Sequence, residues 1–397
     1  MPIATTPDQL ALQASLRDWA KQAAPLAAVR RLEPGTYGPA EHTYLTDLAG
    51  LGVFSIAVPA AAGGAGGTLT DLAAALEQLT VALVPGPVMP TALAGLLLTA
   101  ADAAADATAL LAALAAGQVT AAVALTPGTL TGTRQSDGTL RVTGQVGPVL
   151  GAGTTSHLLL GATTDDGEAW FWLEAAHPGL TAGPPGLTVT PRRPLDFSRS
   201  LADVTLAGAA VPEDQLITGL HTAKVRDLAA TLYAAEAAGV AAWCGGTAAD
   251  YAKTRRQFGR VIGEFHAVKH LCATMAWRAE RAAALAWDAA RAADEAPGEH
   301  PLAAAAAAAL ALDDAVENAK DCIQVLGGIG FTWEHDAHLY LRRAIALRQL
   351  LGGSAPWRKH LARLAAAWGE RGDGQSPREQ GGSGGDRSPR DNTAIGA

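Results

Sequence analysis

Apolar and polar positions change rhythm twice along the chain, and the changes divide it into three. Up to about residue 118 the apolar positions recur every three or four residues. Leu12, Leu16, Trp19 and Ala23 show the spacing of a helix with one buried stripe. A Gly- and Ala-rich loop over Pro59–Gly67 leads into a second predicted helix, Thr70–Val84, which Pro85, Pro87 and Pro90 end. The Ala/Leu run from Thr91 to Ala116 is interrupted by Asp102 and Asp106, so a buried helix pair suits it better than a membrane span.

From about 119 to 215 the period shortens. Thr120–Leu125, Leu140–Thr143, His157–Leu160, Ala169–Leu173, Leu187–Val189 and Leu201–Leu206 read as strands, punctuated by Gly128, Gly138, Gly147, Gly167 and Pro184-Pro185. This spacing predicts a compact antiparallel sheet or barrel. Strand alternation sends Trp170 and Trp172 to one face and Phe171 to the other. From about 222 to 368 the helical period returns, with an apolar stripe at Phe265, Val268, Cys272 and Met275 and a Pro297-Gly298 turn between two long helices. Beyond Gly369 the composition falls to Gly, Ser, Pro, Arg and Asp, too little apolar surface to fold. The expected organisation is therefore a helical domain over 1–118, a β-domain over 119–215, a helical bundle over 216–368 and a disordered tail over 369–397.

Composition narrows the functions. Of the 397 residues 49% are hydrophobic and 17% charged, enough for a sizeable core, and the formal net charge of -8 argues against nucleic acid or anionic membranes as partners. Cys244, Cys272 and Cys322 form no Cys-x-x-Cys pair and lie in apolar helical stretches, which fits buried hydrophobes in a reducing compartment. Met1–Leu10 lacks the basic head and apolar core of a secretory signal, and a cytoplasmic protein is expected. His335 and His338 sit three apart with no third metal ligand, so no metal is expected.

Two segments carry chemistry. In Tyr251–Gly259, Arg255 near a helix end precedes Gln257-Phe258-Gly259: a planar cation, an aromatic plate and a tight turn, suited to a dinucleotide pyrophosphate. In Gln324–Glu334, Gly327, Gly328 and Gly330 let a ligand approach the backbone. Each alone reads more readily as a helix cap with surface arginines or a plain interhelical turn.

In this order and spacing, over about residues 5–368, the chain resembles the acyl-CoA dehydrogenase family. Leu48-Ala49-Gly50-Leu51-Gly52, Ala57-Val58-Pro59, Gly63–Gly67 and Val84-Pro85-Gly86-Pro87 are similar too, the last to an actinobacterial-type branch shared with Phe331-Thr332-Trp333-Glu334-His335. The resemblance implies an α+β fold: an N-terminal helical domain, a central antiparallel β-domain and a C-terminal four-helix bundle. It implies FAD, with Arg255, Phe258, Gln324, Gly327 and Gly328 reaching the FAD of a neighbouring subunit, and Thr126 facing the flavin. It implies α,β-desaturation of an acyl-CoA, with electron-transfer flavoprotein as acceptor, in a homo- or heterotetramer with a related subunit.

The departures are as informative. In the family a glutamate base follows the Gly-Gly pair by 23 residues, and that count from Gly328 reaches Leu351, then Gly352 and Gly353. An alternative family base on an early bundle helix aligns with Ala229 and Ala230. The usual Trp-Ile-Thr is Gly147-Pro148-Val149-Leu150, and a Glu-Glu-Leu-Gly-Arg helix end is Glu77–Val81. Glu236, in an Ala-rich helix, is the alternative candidate base, since burial without a partner would raise its pKa. The expected role is a subunit of a hetero-oligomer acting on a bulky or steroid-like acyl-CoA, its partner supplying the base. The alternatives are a homomeric enzyme with a relocated base and a redox-silent acyl-CoA-binding scaffold.

Overall fold

The computed structural model describes residues 5–32, 44–101, 105–175 and 183–373. The first part holds α1 (Pro7–Ala23), α2 (Pro25–Arg31), α3 (Leu45–Gly50), α4 (Leu69–Val81), α5 (Val88–Thr99) and α6 (Ala105–Ala115). Capping boxes start two of them: Thr6 with Gln9 opens α1, and Thr68 with Asp71 opens α4. Every residue of α5 from Val88 to Leu98 is buried, the fate of a helix apolar on all sides. The predicted helix pair is thus α5 and α6, and no described helix is long and apolar enough to cross a membrane.

The middle part is a sheet of β1 (Ala121–Val123), β2 (Thr131–Arg134), β3 (Leu140–Leu150), β4 (His157–Thr164), β5 (Gly167–Glu174), β6 (Leu187–Arg192), β7 (Leu201–Val211) and β8 (Leu216–Ile217). Its order is β6-β7-β3-β2-β4-β5-β8, with β1 paired to β4. The purely antiparallel expectation needs correction. β4 pairs in parallel with β1 and, at Thr131↔Thr163, with β2. The chain enters β4 from β3 by a crossing turn rather than a hairpin, and period-two patterning alone does not distinguish the two directions. β2 escaped the sequence reading because only Gly132 of its four residues is buried.

The two sheet faces serve different cores. Phe171 packs with Leu140, Val142, Leu158 and Val204 in a core internal to the sheet. Trp170 lies on the opposite face, in the core shared with the helices, and Trp172 packs against that core.

The last part contains α7 (Thr222–Thr254), β9 (Arg256–Gln257), β10 (Arg260–Val261), α8 (His266–Glu295), α9 (His300–Leu326), α10 (Ala337–Leu350) and α11 (Ser354–Asp373). Helices α7, α8, α9 and α10 form the bundle, with α11 on α9. Asn318 of α9, fully buried, sets the register by donating to Ala241 O of α7 at 3.2 Å and Met275 O of α8 at 2.8 Å. At Gly239 a Cβ would meet Glu77 O at 2.3 Å, so α4 and α7 cross there backbone to backbone. The stripe predicted at the start of α8 is only half-buried: Val268, Leu271 and Cys272 keep partial exposure, and Trp277 is 55% exposed. Cys244 and Cys322 are buried. Helix α11 carries the fold through Asp373, into the segment expected to be a disordered tail, and the remainder of that segment lies outside the described residues.

Candidate functional site

The residues selected from the sequence gather in two places. The first is an outward surface of the bundle. Helix α7 ends at Arg255, whose backbone N–H caps Tyr251 O, and its guanidinium is exposed with no partner among the described residues. The β9–β10 hairpin then turns on Phe258 at φ 52° and Gly259 at φ 80°. Two consecutive left-handed residues make the tight primed turn that matches strand twist. Glycine adopts that conformation freely, whereas a phenylalanine there is strained, at a cost of order 1 kcal/mol. The chain's own packing offsets little of the strain, for Phe258 is 89% exposed and its one ring partner among the described residues is Phe265, edge-on at 6.2 Å.

Gln324 is exposed on the last turn of α9, and Gly327 follows as its cap at φ 64°. The glycines of this loop differ. A Cβ on Gly330 would strike Ile323 O at 2.8 Å, so packing requires that glycine, while Gly327 and Gly328 have nothing within 4 Å of theirs. Space over their backbone is open to a ligand or another chain. Nearby, Phe331 and Trp333 are 77% and 61% exposed.

The second place is an interdomain cavity of about 220 Å³, walled by Thr126, Gly147, Pro148 and Val149 of the sheet part and by Arg226, Gln349, Leu350, Leu351 and Gly352 of the bundle. The ladder between β3 and β7 slips between Val146 and Val149, so Gly147 and Pro148 bulge at the cavity wall. Leu351 is 3% exposed, and its carbonyl accepts a hydrogen bond from Trp357 Nε1 at 3.0 Å. It is packed as a core residue. The Arg226 guanidinium lies over the Trp357 ring, 4.8 Å from its centroid. Beside it, burial raises the Asp227 carboxyl to about 6, against the pull of Arg226.

A second, apolar cavity of about 180 Å³ shares Pro148, Gln349 and Leu350 with the first. Its floor belongs to a buried ionic network. Arg343 of α10 donates to Asp196 and, at 2.7 Å, to Ser198 Oγ. Burial alone would raise the Asp196 carboxyl, but Arg343, Arg199 and the Ser198 hydroxyl outweigh it and hold the carboxyl low. Arg199 grips Glu236 through both oxygens, with both side chains at most 5% exposed.

That geometry corrects the reading of Glu236 as a free base. Its burial is compensated by a bidentate guanidinium, and it lines neither cavity. The partner lies 37 residues earlier, and no local signal announced it. Arg226 was missed for the same reason, since its place on the cavity wall follows from the packing of α7 against the turn after α10. His335 accepts from Ala337 N–H, His338 Nδ1 bonds His335 O, and no three potential metal ligands cluster among the described residues.

Residues 6–118 match the family profile of the acyl-CoA dehydrogenase N-terminal domain, and residues 227–365 that of the acyl-CoA dehydrogenase C-terminal domain. The chain is 44% identical over 375 residues to acyl-CoA dehydrogenase FadE34 of Mycobacterium tuberculosis, across 92% of this chain and 49% of that protein. It thus spans about half the length of that relative. It is 34% identical over 332 residues to acyl-CoA dehydrogenase IpdE2 of the same organism, across 84% of this chain and 89% of IpdE2. The solved structure of a variant of the Tcur3481-Tcur3483 steroid ACAD is similar over 91% of this chain and 99% of its own, with 27% identity and a TM-score of 0.81.

Proposed function

The chain belongs to the acyl-CoA dehydrogenase family of oxidoreductases, and from that membership we propose that it is the subunit of a flavin-dependent acyl-CoA desaturating assembly that helps hold FAD but supplies no base. The carrying observation is Leu351: where the family places its glutamate, this chain has a buried side chain unable to accept a proton. General-base catalysis contributes about 10²–10⁴-fold, so the base must come from a related partner chain.

The outward residues fit FAD bound across a subunit interface. Arg255 offers a paired donor fork to a pyrophosphate, Phe258 an aromatic plate held outward, and Gln324 an amide. Gly327 and Gly328 leave the backbone open to approach. When bound, FAD supplies the hydride sink for desaturation. The interdomain cavity fits it less well. Thr126 stands where the resemblance puts a flavin-facing hydroxyl, but Leu351 and Gly353 carry neither a base nor an orienting side chain.

The half-buried apolar stripe of α8 and the exposed Trp277, Phe331 and Trp333 support a heterotetramer with a related chain. The name of the Tcur3481-Tcur3483 steroid ACAD supports a two-chain assembly and a steroid-like acyl group. Electron-transfer flavoprotein is the proposed acceptor. A second reading, a redox-silent acyl-CoA-binding subunit, draws on the same Leu351. Co-expression with a related chain carrying the glutamate separates them. The purified pair is expected to be yellow, to contain FAD and to bleach with an acyl-CoA about 10²–10⁴-fold faster than either chain alone. Rapid bleaching by this chain alone would overturn the missing base, and a pair no faster than the partner by itself would favour the redox-silent reading.

A further inference from the structure

We infer that His266 and His270 form a bidentate site for a divalent transition-metal ion of the class that prefers nitrogen ligands, such as Ni²⁺, Cu²⁺ or Zn²⁺. The site uses none of the residues proposed to hold FAD and requires neither substrate nor partner. Helix α8 begins at His266, and its inward side carries Val268, Leu271, Cys272 and Met275. His266 and His270 stand one turn apart on the other side, where both are exposed. Their rings stack, with centroids 5.9 Å apart and planes 27° from parallel. Neither side chain makes a hydrogen bond or ion pair among the described residues. His157, His221, His300, His335 and His338 differ, for each bonds within the chain through a ring nitrogen.

Chelation follows from the spacing. A metal–imidazole bond of about 2.0–2.1 Å puts two coordinated nitrogens within about 4 Å of each other. Rings at 5.9 Å reach that by turning toward one another, and exposed side chains are free to turn. The second imidazole, fixed one turn away, acts at a high effective concentration and strengthens binding about 10²-fold over a single histidine. No three potential metal ligands cluster among the described residues, so water fills the remaining positions. The surroundings select the kind of ion. Lys269 is exposed between the two histidines, Arg260 lies over the Phe265 ring at 4.1 Å, and a helix start carries partial positive charge. Glu264, two residues before His266, is the one acidic residue of this stretch. A field of that sign repels an ion held by charge alone, as Mg²⁺ and Ca²⁺ are, whereas Ni²⁺, Cu²⁺ and Zn²⁺ form donor bonds with imidazole.

The test titrates Ni²⁺, Cu²⁺, Zn²⁺ and Mg²⁺ calorimetrically into the full chain without an affinity tag. The first three are expected to bind saturably, once per chain, with Cu²⁺ the tightest and Mg²⁺ silent at the same concentrations. His266→Ala and His270→Ala should each weaken binding about 10²-fold while leaving the melting temperature of the metal-free chain unchanged. Adding Lys269→His to His270→Ala creates an i,i+3 pair with His266 and should recover part of the loss. The electron paramagnetic resonance spectrum of the Cu²⁺-loaded chain should show coupling to two imidazole nitrogens. Zn²⁺ should raise the melting temperature of the native chain and not that of either alanine variant, because it binds the folded helix in preference to the unfolded chain. Unchanged affinity in either alanine variant, uptake that does not saturate at a single site, or an equal response to Mg²⁺ would each overturn the assignment.

Discussion

The outward surface and the interdomain cavity carry residues selected by the same resemblance, yet they obey different physics. On the surface, Arg255 and Phe258 are exposed, and Phe258 sits at φ 52° without contacts that repay it. Their identity has no explanation inside the chain. In the cavity, Leu351 is buried, and its backbone is tied by Trp357, so its own packing accounts for it. A site that faces another molecule shows itself through side chains that their own fold leaves unused, whereas a disused site is absorbed into the core.

The largest expected effect tests whether a base hides near the cavity. Glu236→Gln leaves the buried group of Arg199, Arg343 and Asp196 with one cation in excess, and breaking such a pair costs about 3–5 kcal/mol. Urea unfolding should show that loss in stability. A variant of full stability that had lost catalysis in the assembled enzyme would restore Glu236 as a base and break the contrast.

Asp227 sharpens the cavity side. Its folded carboxyl is raised from 3.8 to about 6 by burial. Stability from this group is therefore present below pH ~4 and lost as pH rises through about 6, by about 2–3 kcal/mol. Asp227→Asn should stabilise the chain by that amount at pH 8 and change nothing at pH 3.5. A uniform shift at both pH values would mean that the carboxylate acts through contacts rather than titration.

On the surface side, Arg255→Ala should leave the melting temperature unchanged while weakening FAD retention about tenfold to a hundredfold, the loss of a charge-assisted contact worth about 1.5–3 kcal/mol. Unaltered flavin occupancy would reduce Arg255 to a surface helix cap. The smallest effect has the most specific sign. Asparagine tolerates the left-handed conformation, so Phe258→Asn should raise stability by up to about 1 kcal/mol while lowering FAD retention. A fall in stability would show that the Phe265 contact, not an external ligand, holds Phe258 in place.

Much of this was legible in the sequence because it depends on neighbours in the chain. Helical period and proline stops gave the bundle and the N-terminal helices within a few residues, and Arg255, Phe258, Gly327 and Gly328 stood out as a local pattern. β2 and the parallel pairings of β4 were not legible, since a mostly polar edge segment has no alternation to read and direction is fixed by the path of the connection.

Charge chemistry divides along the same line. By itself the sequence determined that position 351 holds a side chain with no proton acceptor, a property of the residue alone. Only the tertiary structure decided that Glu236 is spent on Arg199 from the sheet part, that Arg343 of α10 is spent on Asp196, and that Arg226 lies over the Trp357 ring on a cavity wall with no ion pair among the described residues. An ionisable group's role is set by the charges and solvent within a few ångströms of it, and in this fold those come from segments 37 to 147 residues away.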